Sequence, residues 1–311
     1  TSRKSNNDSF FIGNRNSDWK LVAFGMIGTS LSGVTFVSVP GTVGSSGFQY
    51  FQVVLGYFIG YFLVAFILLP LYYKLQLTSI YTYLHQRIGM RAYKTGAIFF
   101  IVSRTFGATA RLYLVVNILQ VFVLDSLGIP FWLSSLIILL LILLYTFEGG
   151  VKTIVYTDTL QTSFMLLALI ISINAIARFL NTADHSIWQQ VQEHAYSRWI
   201  NRDPLSASHF LKQIIGGAFI TVGMTGLDQE MMQKNISVKT LGGAQKNVVS
   251  LGLILIVVNF LFLFLGGLLY IYAEKVGINI AAKDFKSDNL FPDIALNYFP
   301  PVMGFVFIIA L

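Results

Sequence analysis

The 311-residue chain contains no cysteine and few charged side chains. Without cysteine it can form neither a disulfide framework nor a thiolate metal site, and it has no cysteine nucleophile. Charged residues make up 11% of the chain, against about 25% in an ordinary soluble domain, while hydrophobic residues make up 55%. A chain with so few charged residues has too little polar surface to cover a water-soluble fold of this length. The composition, with a mean hydropathy of +0.68, predicts an all-α polytopic membrane protein.

Apolar segments long enough to cross a bilayer recur along the chain. The seven predicted spans are 20–39, 48–73, 95–124, 131–147, 153–179, 209–232 and 247–273, and an incomplete eighth begins near residue 300. The polar start lacks the apolar core of a signal peptide, and the last apolar segment has about half the length of a span. We therefore expect a fragment of a longer protein.

Lys and Arg exceed the acidic residues on one side of the predicted topology. Seven crossings place the segments 1–19, 74–94 and 233–246 on that side, so the positive-inside rule predicts that they are cytoplasmic. The net charge of +7 is then explained by topology and not by nucleic-acid binding. The predicted location is the cell membrane, plasma or inner, with a multi-pass chain.

Two of the predicted spans carry clusters of glycine and hydroxyl residues. The clusters are Gly25, Gly28, Thr29, Ser30, Ser32 and Gly33 in the first span, and Gly216, Gly217, Thr221, Gly223, Thr225 and Gly226 in the sixth. One such cluster is more often explained by close helix packing. Two clusters five spans apart instead predict paired broken helices, as in inverted-repeat transporters that bind solute near the midplane.

This pattern predicts a five-plus-five inverted repeat in which the second repeat is incomplete. The predicted domains are a cytoplasmic segment 1–19, a first repeat 20–179, an extracellular insert 180–208 and a partial second repeat 209–311. Because five is odd, the two repeats lie in opposite orientations in the membrane.

Three motifs, in order, resemble the sodium/solute symporter family, which includes sodium/glucose, sodium/proline and sodium/sialic-acid cotransporters. They are Phe11-Ile12-Gly13-Asn14-Arg15 with Gly28 to Phe36, Glu148-Gly149-Gly150 through Tyr156-Thr157-Asp158 to Gln161, and Gly226-Leu227-Asp228-Gln229 to Lys234 with Ala244-Gln245-Lys246. The resemblance covers essentially the whole chain. It implies the leucine-transporter-like fold, with sodium as the coupling ion. It also implies that a hydroxyl pair completing the main sodium site lies just after Leu311.

The resemblance also assigns the sodium site. It places backbone carbonyl ligands at Gly28 and Leu31, and it puts Asp158 in the ion pathway or, in some members, at a second sodium site. A break near Gly28 would free carbonyls for a hard cation, which agrees. For Asp158 the structural alternative is an acid stabilised by the helix dipole in a first turn.

The substrate candidates lie on four spans. They are Ser32, Thr35, Gln52, Arg111, Thr221 and Met224. Arg111 is half-way along its span and must meet an acid, a carbonyl-lined cavity or an anionic substrate. By resemblance, an arginine in this helix receives the substrate carboxylate in sialic-acid members, and Arg104 and Arg111 both remain open for that role. A structural pair with Asp228, with Glu230 or with a helix outside this sequence is the alternative for Arg111.

Differences from sugar-transporting members shift the expected substrate. Met224 replaces an aromatic gate residue, and Thr35 and Thr221 replace amides. With an intramembrane arginine, this favours sodium-coupled secondary active symport of a small organic anion such as sialic acid or a monocarboxylate. A sodium/sugar symporter of the same fold, or a transporter-like sensory domain of a larger signalling protein, are the alternatives. We expect no enzyme, no nucleic-acid partner and no transition metal; substrate identity, sodium stoichiometry and oligomeric state stay open.

Overall fold

The computed structural model describes residues 17–146, 150–180, 186–282 and 285–311. Most of the segment 1–19, including Phe11 to Arg15, and the residues 147–149 of the second motif lie outside the described residues. The described residues form helices joined by short turns, with no strand beyond an isolated bridge between Ser17 and Val238. Fourteen α-helices are described: α1 (Trp19–Ser30), α2 (Gly33–Ser46), α3 (Tyr50–Leu63), α4 (Leu69–Lys74), α5 (Ile80–Arg87), α6 (Met90–Leu119), α7 (Phe131–Thr146), α8 (Gly150–Leu180), α9 (Ile187–Glu193), α10 (Phe210–Thr221), α11 (Gln229–Ile236), α12 (Leu241–Val276), α13 (Leu290–Asp293) and α14 (Pro301–Ala310).

Helices lie at all seven predicted spans, and α14 lies at the incomplete eighth. By length and apolarity alone, four helical stretches in the described residues could cross a membrane, or five when one bent pair counts as a span. The first of these, Gly33–Lys74, is 42 residues long and includes the turn at Gly47, whose positive φ of 58° is readily adopted only by glycine. The chain reverses there, so this stretch supplies the second half of the first predicted span and the whole of the second.

Contacts between distant segments define the two ends of the molecule. At one, here called the Ser17 end, the Ser17 amide donates to the Ser237 carbonyl at 3.1 Å and the Tyr73 hydroxyl donates to the Val238 carbonyl at 2.7 Å. At the other, the Arg198 end, the Phe48 amide donates to the Arg198 carbonyl at 3.0 Å. Segments predicted to share one side of the membrane therefore meet at the Ser17 end.

Two spans are broken, and they are the two that carry the glycine and hydroxyl clusters. In the first, α1 ends at Ser30 and α2 begins at Gly33, with Leu31 and Ser32 extended between them. In the other, α10 continues through a π-helical turn to Gly226, and α11 starts at Gln229 after a bend of 68°. The Asp228 carboxylate caps α11 by accepting from the Met231 amide at 3.1 Å.

Some of the clustered glycines serve helix packing instead of breaking the helix. Gly217 lies inside α10, where a Cβ would overlap the Val53 carbonyl oxygen and lie 3.1 Å from Gly56 Cα in α3. Gly28 lies inside α1, where a Cβ would overlap Thr162 of α8. Close helix packing and helix breaking, the two explanations for these clusters, therefore both apply, at different positions of the same clusters.

An aromatic cluster joins the second half of the first broken span to the second repeat. Phe36 of α2 stacks on Phe307 of α14 at 5.3 Å and meets Phe291 of α13 edge-on at 5.0 Å. Phe262 of α12 contacts the same ring edge-on at 6.0 Å. These four rings are buried, so they fix α2 and α14 side by side next to the break.

Candidate functional site

A cavity of about 310 Å³ lies beside the break in the first span. Its wall includes the break itself, at Leu31 and Ser32, and the π-helical turn that precedes the second break, at Met224 and Thr225. Of the predicted substrate residues it contains Ser32, Thr35, Arg111, Thr221 and Met224. The cavity therefore occupies the position between two broken helices where inverted-repeat transporters bind solute.

Gln52 is the exception among the predicted substrate residues. Its side chain is buried, and its amide donates to the Gln49 carbonyl at 3.1 Å and accepts from the Asn201 amide at 3.4 Å. It is not part of the cavity wall. These contacts tie the start of α3 to the insert 180–208, and a substrate contact at Gln52 stays a prediction.

Arg111 extends from α6 to the cavity. Among the described residues it forms no ion pair, whereas Arg104, seven residues earlier on the same helix, pairs with Asp228 and Glu230. The alternative in which Asp228 or Glu230 neutralises Arg111 therefore does not hold in this structure. Arg111 is the cavity's uncompensated cation within the described part of the chain.

The wall formed by α3 was not predicted from the sequence. Tyr50, Tyr57 and Tyr61 all line the cavity, and the hydroxyls of Tyr50 and Tyr57 lie 3.2 Å apart. Their spacing of seven and four residues puts them on one helix face, which is the signal that could have identified them. Asn259 of α12 also lines the cavity; its amide nitrogen donates to the Leu255 carbonyl at 2.8 Å.

The break leaves backbone carbonyls without helical partners. The Leu31 amide donates to the Ile27 carbonyl at 2.7 Å, which is the last such bond of α1. The carbonyls of Gly28 and the following residues therefore have no intrahelical donor, and neither does that of Leu31. The end of α14 comes close to this point, since a Cβ on Gly33 would lie 2.9 Å from the Leu311 carbonyl oxygen.

Asp158 lies on α8 against the first broken span, and it is already paired. Its Oδ2 accepts from the Thr29 hydroxyl at 2.8 Å and from the Lys234 ammonium at 3.0 Å. Lys234 is 3% exposed and lies on α11, the second half of the other broken span. The expected ion-pathway aspartate is therefore in contact with a lysine that sequence reasoning had not singled out.

A chain of ion pairs continues from Asp158 across the Ser17 side of the cavity. Lys234 also reaches Glu230 Oε1 at 3.4 Å, and Arg104 contacts Glu230 at 3.5 Å and Asp228 more closely. Five charged side chains on α6, α8 and the second broken span thus form one network. Asp228 and Glu230, considered from the sequence as partners of Arg111, pair with Arg104 instead.

Comparison with known proteins places this geometry in a family. Residues 10–311 match the sodium:solute symporter family. The sodium-dependent multivitamin transporter of Oryctolagus cuniculus is 29% identical over 227 residues, covering 70% of this chain and 34% of that protein. The sodium/sialic acid symporter NanT of Aliivibrio fischeri is 22% identical over 306 residues, covering 96% of this chain and 58% of that protein. The chain thus spans less than two thirds of the length of these relatives.

A solved structure of a Na⁺-coupled sialic acid symporter, in a substrate-bound outward-open state, superposes with a TM-score of 0.86 at 19% identity. The superposition covers 99% of this chain and 64% of the other. This likeness confirms the predicted all-α, leucine-transporter-like five-plus-five fold, in which the described helices supply part of the second repeat. With a family match across residues 10–311, the chain belongs to the sodium:solute symporter family.

Proposed function

We propose that the protein is a sodium-coupled secondary active symporter of a small organic anion. The observation that carries the proposal is Arg111, a cavity cation with no acidic partner among the described residues. A permanent positive charge at membrane depth is costly unless an anion meets it. A substrate carboxylate satisfies this requirement, and guanidinium binds carboxylate in a bidentate manner. The sialic acid named for NanT is an anion of this class.

Sodium suits the carbonyls released at the first break. Na⁺ is a hard cation that takes oxygen ligands, and backbone carbonyls provide them without placing a charge in the membrane. Gly28 and Leu31 offer such oxygens next to the cavity, and the end of α14 comes close enough to contribute to the same site. Sodium supplies the free energy of uptake, since one charge moved across 100 mV corresponds to about 2.3 kcal/mol.

The chain's own residues then carry out three tasks. Arg111 holds the carboxylate, while Tyr57 and Asn259 offer polar groups to the rest of the solute. Met224 and Thr221 form the part of the wall that moves with the second broken span. The ion-pair network closes the cavity on its Ser17 side, so release in that direction requires the network to separate.

We further propose that the Ser17 end is cytoplasmic and that the protein lies in the cell membrane. This places 1–19, 74–94 and 233–246 inside and the insert 180–208 outside. The excess of Lys and Arg in these loops and their meeting at one end support this orientation.

The test is ligand binding and uptake by the intact protein, with Arg111→Gln compared with Arg91→Gln. Arg91 lies at the exposed start of the same helix and is not part of the cavity, which makes it the matched control. Loss of a charge-assisted contact of about 1.5–3 kcal/mol weakens binding about 10- to 150-fold. Sialic acid, pyruvate and glucose are the probes, each with sodium or with choline.

Sodium-dependent binding of an acid that is lost in Arg111→Gln and kept in Arg91→Gln supports the proposal. Sodium-dependent binding of glucose alone, unaffected by Arg111→Gln, would instead indicate the sugar alternative. Uptake of an acid that ignores an imposed sodium gradient would refute the coupling.

A further inference from the structure

Lys234 is a buried lysine whose ammonium is fully hydrogen-bonded. Its side chain is 3% exposed, and Nζ lies 2.6 Å from Thr29 Oγ1, 3.0 Å from Asp158 Oδ2 and 3.4 Å from Glu230 Oε1. An ammonium has three hydrogens to donate, so these three oxygens use all of them. The contacts connect three helices, α1, α8 and α11, directly below the break in the first span.

We propose that the Lys234 ammonium is the resident cation of Asp158, so that Asp158 binds no sodium ion. This inference rests on the proposed function, since it concerns where a sodium symporter of this fold binds its ion. It confines sodium to the carbonyls at the first break. It replaces the expectation that Asp158 is a sodium ligand.

The ammonium occupies the place that a sodium ion would need. It lies between Asp158 Oδ2 and Thr29 Oγ1, a carboxylate and a hydroxyl oxygen of the kind that a sodium ion uses. The same two oxygens also contact each other at 2.8 Å, so all three groups are tightly packed. A sodium ion bound to this pair would have to displace Lys234.

Lys234 has no other carboxylate of its own among the described contacts to balance its charge. Asp228 is paired with Arg104, and Glu230 is 47% exposed and is shared between Arg104 and Lys234. A lysine displaced from Asp158 would keep a charge in a site that is 3% exposed, with a half-exposed carboxylate as its neighbour. Such an uncompensated buried charge is strongly unfavourable.

Lys234 is tethered to α11. It lies four residues after Glu230 on the same helix face, and its ammonium extends to Thr29 of α1 and Asp158 of α8. An ammonium attached to this helix competes with sodium at a fixed, high local concentration. A dissolved ion at millimolar concentration has to outcompete this tethered ammonium.

The experiment counts sodium ions by equilibrium binding of radioactive ²²Na⁺ to the purified intact protein, with thermal stability in choline as the folding control. Asp158→Asn should leave the number of bound sodium ions unchanged and their affinity within about threefold. Lys234→Gln, which leaves the Asp158 carboxylate uncompensated, should add one sodium ion. The neutral double variant Lys234→Gln/Asp158→Asn should return to the wild-type number.

Two further variants keep the result interpretable. Lys234→Arg retains the charge and should bind the wild-type number of ions, whereas Glu230→Gln removes only the exposed partner and should also change nothing. The double variant contains no uncompensated charge at this site, so it remains informative when Lys234→Gln fails to fold.

Loss of one sodium ion in Asp158→Asn would overturn the inference, as would an unchanged count in a folded Lys234→Gln. A failure of the proposed function has a different signature. Wild-type protein that binds no sodium at all contradicts sodium-coupled symport, while a sodium ion gained only in Lys234→Gln still supports the pairing of Lys234 with Asp158.

Discussion

Helices α3 and α10 approach closely at Gly217, and the neighbouring Gly216 faces open space. Comparing alanine variants of these two glycines is therefore a controlled test of the packing. A Cβ on Gly217 would overlap the Val53 carbonyl oxygen, and backbone atoms cannot rotate away as a side chain can. A Cβ on Gly216 would meet nothing within 4 Å. Both alanine variants gain about 0.4–1 kcal/mol from the reduced freedom of the unfolded chain. The difference between them therefore isolates the cost of overpacking, which is typically about 1–3 kcal/mol.

Thermal unfolding of the purified protein, followed by tryptophan fluorescence, measures this difference. A change of 1 kcal/mol shifts the melting temperature by about 2–4 °C in soluble domains of 150–250 residues, so Gly217→Ala should melt about 2–12 °C below Gly216→Ala. Gly217→Ala should also weaken solute binding, because Thr221 lies one turn later on the same helix and lines the cavity. Equal melting temperatures would refute the packing derived from this contact.

Three more predictions concern the network, the insert and the cavity. Arg104→Gln should lower the free energy of unfolding by about 2 kcal/mol. This is less than the roughly 3–5 kcal/mol lost when a fully buried ion pair is broken, because Arg104 is 31% exposed. Adding Asp228→Asn should recover most of the lost stability, since the carboxylate is then no longer left unpaired. Burial and the adjacent Glu274 carboxylate raise the pKa of Tyr196 to about 12. The hydrogen bond from Tyr196 to Glu274 should therefore stabilise the fold fully below pH 10, and this stabilisation should be lost as the pH rises through 12. The melting temperature should fall over this pH range, and Tyr196→Phe should remove that pH dependence. Asn259→Asp adds a carboxylate to the cavity wall, so it should raise the Kd of an acid about tenfold or more, while neutral Asn259→Ser should change it less than about threefold.

The sequence contained enough information for the architecture because the relevant signals are local. Span lengths follow from runs of apolar residues, and a glycine and hydroxyl cluster weakens a helix wherever it lies. Even so, the clusters could not locate the second break. It falls at Leu227 and Asp228, after the last clustered glycine, because the Asp228 side chain caps a new helix there. A capping residue was visible in the sequence, and it was interpreted only as a charge.

A cavity residue could be predicted from the sequence only where it is energetically costly in a membrane span or belongs to a regular sequence pattern. Arg111 attracted notice because a charge in a span is rare. Gln52 shows the limit of such signals, because the position of an amide within a helix does not show whether it contacts solute or the chain's own backbone, as it does here at Asn201. Tyr50 and Tyr57 carry a helical periodicity, yet aromatic residues are abundant in this chain, so the pattern did not stand out.

The pairing of Lys234 with Asp158 was beyond sequence reasoning because 76 residues separate the partners. Each looks ordinary alone: in the sequence Asp158 is an acid near the start of a predicted span, and Lys234 is a base in the last turn of a short helix, where the helix dipole favours it. Folding brings the two helices together and converts the two ordinary positions into one buried pair with a shared threonine. Because neither charge can leave without isolating the other, movement of α11 away from α1 and α8 must carry Lys234 out of reach of Asp158. Under the proposed function, opening on the Ser17 side therefore has an electrostatic cost, since it separates this pair and leaves Asp158 without its cation.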